Sequence, residues 1–166
     1  HCSVIKDAGD DPDVTHGAEI VVDLELTSNP NSIEIDGGEG VGRVTKPGIG
    51  LEIGQAAINP TPRKMIIENL TEVGKEILEK NGIRVIISVP KGRELGPKTD
   101  NPRIGIVDGI SILGTSGIVM PYSTASFAAA IRQQLDVVLS MGDDTVVLTT
   151  GGRSEDFARK IFDLPD

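Results

Sequence analysis

Residues 7–16 read DAGDDPDVTH, which puts Asp7, Asp10, Asp11 and Asp13 within seven positions and His16 three residues further on. Carboxylates beside an imidazole can orient a polar reactant or move a proton. Gly9, Pro12 and Gly17 turn the backbone around them. The stretch is not a calcium loop. Counted from Asp7, its sixth position is Pro12 and its twelfth Ala18, where that loop needs Gly and Glu. His16 lacks a spaced partner for a metal, so no metal centre is expected. A solvated loop and a ligand-binding or catalytic loop both stay open.

A second group is cationic. Arg43 and Lys46 lie in GGEGVGRVTKPGIG. Gly38 and Gly40 begin a dinucleotide fingerprint, but its sixth position is Arg43 and Pro47 precludes the helix it requires. The glycines either turn a hairpin or press backbone against a ligand that Arg43 and Lys46 could reach. Arg63 and Arg103 each follow an Asn-Pro pair, in INPTPRKMI and KTDNPRIGI. A third group is glycine and hydroxyl: Gly114, Thr115, Ser116 and Gly117 in ILGTSGI, and Thr150, Gly151 and Gly152 in TTGGRSED. Both stretches follow apolar runs and precede helical ones. Cofactors favour the carboxyl ends of parallel strands, which makes these loops cofactor-site candidates beside the plain reading as turns. The P-loop lysine is missing, which disfavours nucleotide hydrolysis.

The elements that must position these groups follow from periodicity. CSVIK, EIVVDLELTS and SIEIDG predict strands, with NPNS as a turn and RVTK and LEI as further short strands. TPRKMIIENLTEVGKEILEKNG predicts one helix, capped by Thr61, with Pro62 first, an apolar face of Ile66, Leu70, Val73 and Ile77, and a stop at Asn81-Gly82. IRVIISVP predicts a buried strand, and RIGIVDGISILG one or two more. STASFAAAIRQQLDVVLSMG predicts a helix from a Ser123 cap to Gly142. DTVVLTT predicts a buried strand, and RSEDFARKIFDL a last helix capped by Ser154. Strand, glycine loop and helix in alternation open a parallel α/β sheet, which places a boundary near residues 100–115.

The chain has 166 residues, of which 38% are apolar, with a net charge of -9. That charge repels polyanions, and one Tyr with three Phe leaves few stacking platforms, so nucleic acid is not an expected partner. No window suits a membrane span or a signal peptide. Cys2 is the single cysteine, so no disulfide framework is expected and a cytoplasmic location is the default. Opening on His1 and stopping just after a helix, the chain reads as a fragment at both ends.

In their order, SVIKDAGDDPDVTHGAEI, IDGGEGVGRVTKPGIG, AINPTPRKMI, ISVPKGRELGPKT and NPRIGIVDGISILGTSGIV closely resemble the cobalt-precorrin-5B C1-methyltransferase family, CbiD, from residue 2 to about 160. The resemblance implies methyl transfer from S-adenosylmethionine to ring carbon C1 of a cobalt tetrapyrrole in the anaerobic route to cobalamin. It implies an α+β first domain over residues 1–110, similar to the second domain of a small-subunit ribosomal protein. The beginning of a Rossmann- or flavodoxin-like α/β domain over residues 111–166 would follow. Under it, Asp7, Asp10, Asp11 and His16 line the reacting face. Arg43, Lys46, Arg63, Lys64 and Arg103 hold substrate carboxylates, and the two glycine-hydroxyl loops hold the methyl donor. Cobalt arrives with the substrate, and a homo-oligomer is allowed. Met120 stands where the family suggests a charge, so no charged role is carried to it. A phosphate- or nucleotide-binding kinase-like enzyme using GTSG, and a non-catalytic ligand-binding module, are the competing readings.

Overall fold

A computed structural model describes residues 1–162 as a mixed α+β protein. Strands β1 (Cys2–Ile5), β2 (Glu19–Thr27) and β3 (Ile33–Gly37) are followed by the two-residue β4 (Arg43–Val44). Helices α1 (Pro60–Val73) and α2 (Lys75–Leu78) lead to β5 (Gly82–Ser88). After the short α3 (Gly92–Leu95) come β6 (Ile106–Val107), α4 (Thr124–Ser140) and α5 (Gly152–Phe162).

The main sheet has the order β1-β2-β5-β3. β5 runs antiparallel to β2 and parallel to β3, which is why a helical crossover, α1, separates β3 from β5. The register sets Val22, Leu24 and Leu26 opposite Ile87, Val85 and Ile83, and those opposite Gly37, Ile35 and Ile33. All therefore share one face. Ile66 and Leu70 of α1 pack on that face, and Ile83, Val85 and Ile87 are buried. β4 and β6 pair antiparallel, and a second apolar cluster gathers Val44, Ile49, Ala57, Ile104, Ile106 and Val137.

Several expected elements differ. The long helix splits at Gly74, whose N–H bonds the Leu70 carbonyl. Restarting as α2 buries Leu78, while Val73 stays 81% exposed and Ile77 lies outside the core. Thr61 is not the cap; Asn59 is, and Pro60 takes the first helical position, where a missing N–H costs nothing. LEI forms no strand, because Leu51 turns onto the second cluster. RVTK yields only Arg43–Val44, and RIGIVDGISILG only β6 with isolated bridges at Ile110 and Ile112. DTVVLTT carries no strand, since among the described residues nothing pairs with it and Leu148 stands 72% exposed. Ser123 does cap α4, accepting from Ser126 N at 3.2 Å. Ser154 lies inside the first turn of α5, because the helix already begins at Gly152.

Candidate functional site

The opening loop joins β1 to β2 and is closed at its base by Lys6 N donating to Ala18 O (2.8 Å) and Gly17 N to Lys6 O (2.9 Å). Inside it, the Lys6 ammonium donates to Asp13 and Thr15. Asp13 Oδ1 also accepts from Thr15 N and Oγ1, each at 2.7 Å. Burial pushes the Asp13 carboxyl up, but the Lys6 and Thr15 hydrogen bonds outweigh it and hold it below the ordinary carboxylate value. One of the four carboxylates is thus spent on holding the loop. Asp7 Oδ1 accepts from Gly9 N at 2.8 Å, and His16 Nδ1 accepts from Ala8 N at 3.1 Å. That acceptor role puts the proton of neutral His16 on Nε2. Asp7 Oδ1 lies 3.9 Å from His16 Nδ1, and Asp7, Asp10 and His16 are all exposed. Asp11 is half-buried and accepts from Tyr122 N at 3.1 Å.

The cationic residues fall in separate places. Arg43 meets Asp36 through two nitrogens, at 2.8 and 3.3 Å, and donates to Gly37 O at 2.5 Å. Arg63 donates from Nε to Ile58 O and from Nη1 to Ile35 O, both at 2.9 Å. Both guanidinium groups therefore grip the carboxyl end of β3. Burial pushes Asp36 up, but Arg43, the Gly37 N–H and the charge of Arg63 hold its carboxyl below the ordinary value. Lys64 stands on the exposed side of α1, 3.7 Å from Glu68. The stem of Lys46 covers Gly105, where an added Cβ would come within 2.3 Å of it. Arg103 donates to Glu155 of α5 at 3.0 and 3.3 Å, and Arg159 donates to the same carboxylate at 3.2 Å. These two arginines, Arg103 foremost, hold Glu155 below the ordinary carboxylate value.

The Gly114–Gly117 turn is exposed. A Cβ at Gly117 would lie 3.6 Å from Met65 of α1, and Tyr122, five residues on, reaches Asp11. The second loop precedes α5, with Thr150 N donating to Ser154 Oγ at 3.0 Å and Ser154 Oγ donating to Gly151 O at 2.8 Å. A cavity of about 400 Å³ lies beside it, walled by Leu135 and Val138 of α4, Val146, Leu148 and Ala158, with Arg103 and Glu155 at its rim. The Asp11–Tyr122 bond brings the opening loop and the segment leading into α4 together. Among the described residues, no hydrogen bond joins the Thr150–Gly152 loop to that group.

Sequence reasoning missed Asp36 and Glu155, the partners of Arg43 and Arg103. It also missed what the glycine clusters do. Gly40, Gly92 and Gly109 meet backbone to backbone: a Cβ on Gly92 would stand 2.0 Å from Gly40 O, and one on Gly109 2.3 Å from it. Three chain segments cross there at a separation no side chain fits. Among the described residues no group of three His, Cys, Asp or Glu stands close enough to hold a metal ion, and no helix is long and apolar enough to cross a membrane.

The profile of the CbiD family matches residues 1–121. The chain is 53% identical to the cobalt-precorrin-5B C(1)-methyltransferase of Dechloromonas aromatica, over 100% of its own length and 42% of the relative's. It is 57% identical to the enzymes so named from Geobacillus thermodenitrificans (96% of this chain, 43% of the relative) and Leptospira interrogans (97% and 43%). The crystal structure of a cobalamin biosynthesis protein (cbiD) from Archaeoglobus fulgidus superposes with a TM-score of 0.50 at 32% identity, over 91% of this chain and 46% of that one. The chain spans less than half the length of the curated relatives it matches.

Proposed function

Because the chain belongs to the CbiD family, we propose that its protein transfers a methyl group from S-adenosylmethionine to C1 of cobalt-precorrin-5B, giving cobalt-precorrin-6A in anaerobic cobalamin synthesis in the cytoplasm. The observation that carries this reading is identity of 53–57% to enzymes of that name across at least 96% of this chain. The Dechloromonas match includes the opening loop.

S-adenosylmethionine supplies an electrophilic methyl on a sulfonium cation. The residues present fit it: an added Cβ at Gly114, Gly151 or Gly152 would meet no atom within 4 Å, so their backbone is open to a ligand. The exposed hydroxyls of Thr115 and Ser116 stand in the first of these loops and Thr150 in the second. Displacement at a methyl group needs alignment and exclusion of water more than acid–base strength. Arg43, Lys46, Arg63, Lys64 and Arg103 orient the substrate's carboxylates, the paired ones by sharing or exchanging their present acceptors. Asp7, Asp10 and His16 face the ring, where the Nε2–H of His16 and the free carboxylates manage charge at the carbon attacked. Cobalt belongs to the substrate. The same reading takes residues 1–110 as the ribosomal-protein-like domain and residues 111–166 as the opening of the Rossmann- or flavodoxin-like one. The βαβ crossover through α1 supports the first of these.

The test uses a family-length protein carrying this sequence, cobalt-precorrin-5B and methyl-labelled S-adenosylmethionine. Label appearing in the tetrapyrrole with one S-adenosylhomocysteine per product is the expected result. No transfer, together with binding of ATP rather than S-adenosylhomocysteine, would overturn it in favour of a kinase-like enzyme.

A further inference from the structure

The contact between Asp11 and Tyr122 joins residues 111 positions apart in the chain, and it changes what Asp11 can be doing. Asp11 itself is held firmly. Its N–H donates to Ala8 O at 3.1 Å, its carbonyl accepts from Asp13 N at 2.8 Å, and the Lys6–Asp13–Thr15 bonds brace the loop behind it. Its side chain points one oxygen at the backbone N–H of Tyr122. Tyr122 has a φ of 54°, a left-handed conformation uncommon for an aromatic residue and one that needs support from its surroundings. The next residue, Ser123, caps α4. Upstream, Met65 is the nearest neighbour of Gly117, 3.6 Å from where a Cβ would stand. Asp11 therefore supplies a hydrogen-bonded anchor for the segment that leads into α4.

We infer that Asp11 is a positioning residue: its carboxylate fixes the Tyr122 backbone at the start of α4, and with it the course of the segment that carries the Gly114–Gly117 turn. This rests on the methyltransferase reading for its consequence in turnover, but not for the contact itself. An acceptor for a backbone N–H needs a lone pair, which an asparagine Oδ1 also has; a group that takes or gives a proton must titrate, which asparagine does not. The two roles therefore respond oppositely to Asp11→Asn.

The experiment compares wild type, Asp11→Asn and Asp11→Ala in a family-length protein, reading KM for the methyl donor, kcat, and amide exchange at Tyr122. Asp11→Asn is expected to restore kcat/KM to within about threefold of wild type. Asp11→Ala is expected to lose about tenfold or more, mainly through KM, with Tyr122 exchanging at least about tenfold faster. An Asp11→Asn protein as inactive as Asp11→Ala, with Tyr122 still protected, would overturn the inference. So would unchanged Tyr122 exchange in Asp11→Ala. If Asp11→Ala does not fold, Asp11→Asn decides alone: near-normal kcat with slow Tyr122 exchange supports the inference, and loss of kcat overturns it. If wild type transfers no methyl group, the functional reading fails and Tyr122 exchange still decides the contact.

Discussion

At the scale of single residues, Asp13 shows how a crowded acidic loop stays folded. Its carboxylate is about a quarter exposed and takes the Lys6 ammonium and both donors of Thr15. Asp13→Asn keeps an acceptor but loses the charge, so it should destabilise the protein by about 1–2 kcal/mol at pH 7, allowing for partial exposure. The sign of the pH dependence follows from the lowered folded-state value. Stabilisation is complete above the unfolded value near 3.8 and disappears as pH falls through the lower folded one. Urea unfolding of both proteins between neutral pH and about pH 3 should show the gap closing only below about pH 4; a gap constant with pH would refute the ion-pair account. The candidate carboxylates and arginines were legible from type and spacing. Their partners were not, because Tyr122, Glu155 and the Ile35 carbonyl reach Asp11, Arg103 and Arg63 only through tertiary folding. Spacing along the chain cannot tell a carboxylate bonded inward, like Asp13, from one facing water, like Asp7.

At the scale of elements, the chain crossing at Gly40 explains clustered glycine without a ligand. Gly40 and Gly50 have nearly the same positive φ, 71° and 75°. Their surroundings differ: a Cβ on Gly40 would stand 1.9 Å from Val89 O, and one on Gly50 would meet nothing within 4 Å. Alanine at Gly50 should cost only the left-handed conformation, about 1–2 kcal/mol. Alanine at Gly40 adds the collision with backbone that cannot move, and should cost about 4 kcal/mol or more. Equal melting-temperature losses for the two variants would show that backbone conformation alone requires glycine there. The strands β2, β3 and β5 were legible because their alternation and apolar runs match the face that packs against α1. The break at Gly74 was not, since the apolar spacing runs through it and only the fit of Leu78 into the core decides it. DTVVLTT has strand composition, but a strand is a pair, and composition does not provide the neighbour.

At the scale of the whole molecule, apolar burial is unevenly distributed. The sheet cluster joins β2, β3, β5, α1 and α2, whereas α4 and α5 bury only Val137 and Ala158. Phe127 and Leu139 on α4 and Phe157 and Ile161 on α5 are each more than half exposed. What ties the two helices to the rest is thin: Val137 in the second cluster, the close approach of Gly48 to the Asp136 carbonyl, the Arg103–Glu155 pair and the Asp11–Tyr122 bond. The ion pair is screened by solvent and contributes little. Most helical stability in proteins comes from a packed face rather than from propensity, and α4 buries one side chain. Opening of residues 124–162 should therefore cost far less than global unfolding. Hydrogen exchange on this 166-residue chain should show β2 and β5 amides protected to the global limit, with α4 and α5 amides exchanging at least about a hundredfold faster. Val137→Ser, which removes the one α4 side chain in the second cluster, should speed exchange in α4 further and leave β5 unchanged. Equal protection of α4 and β5 in the unmodified chain would mean that the two helices fold cooperatively with the sheet, and the thin-contact account would be wrong.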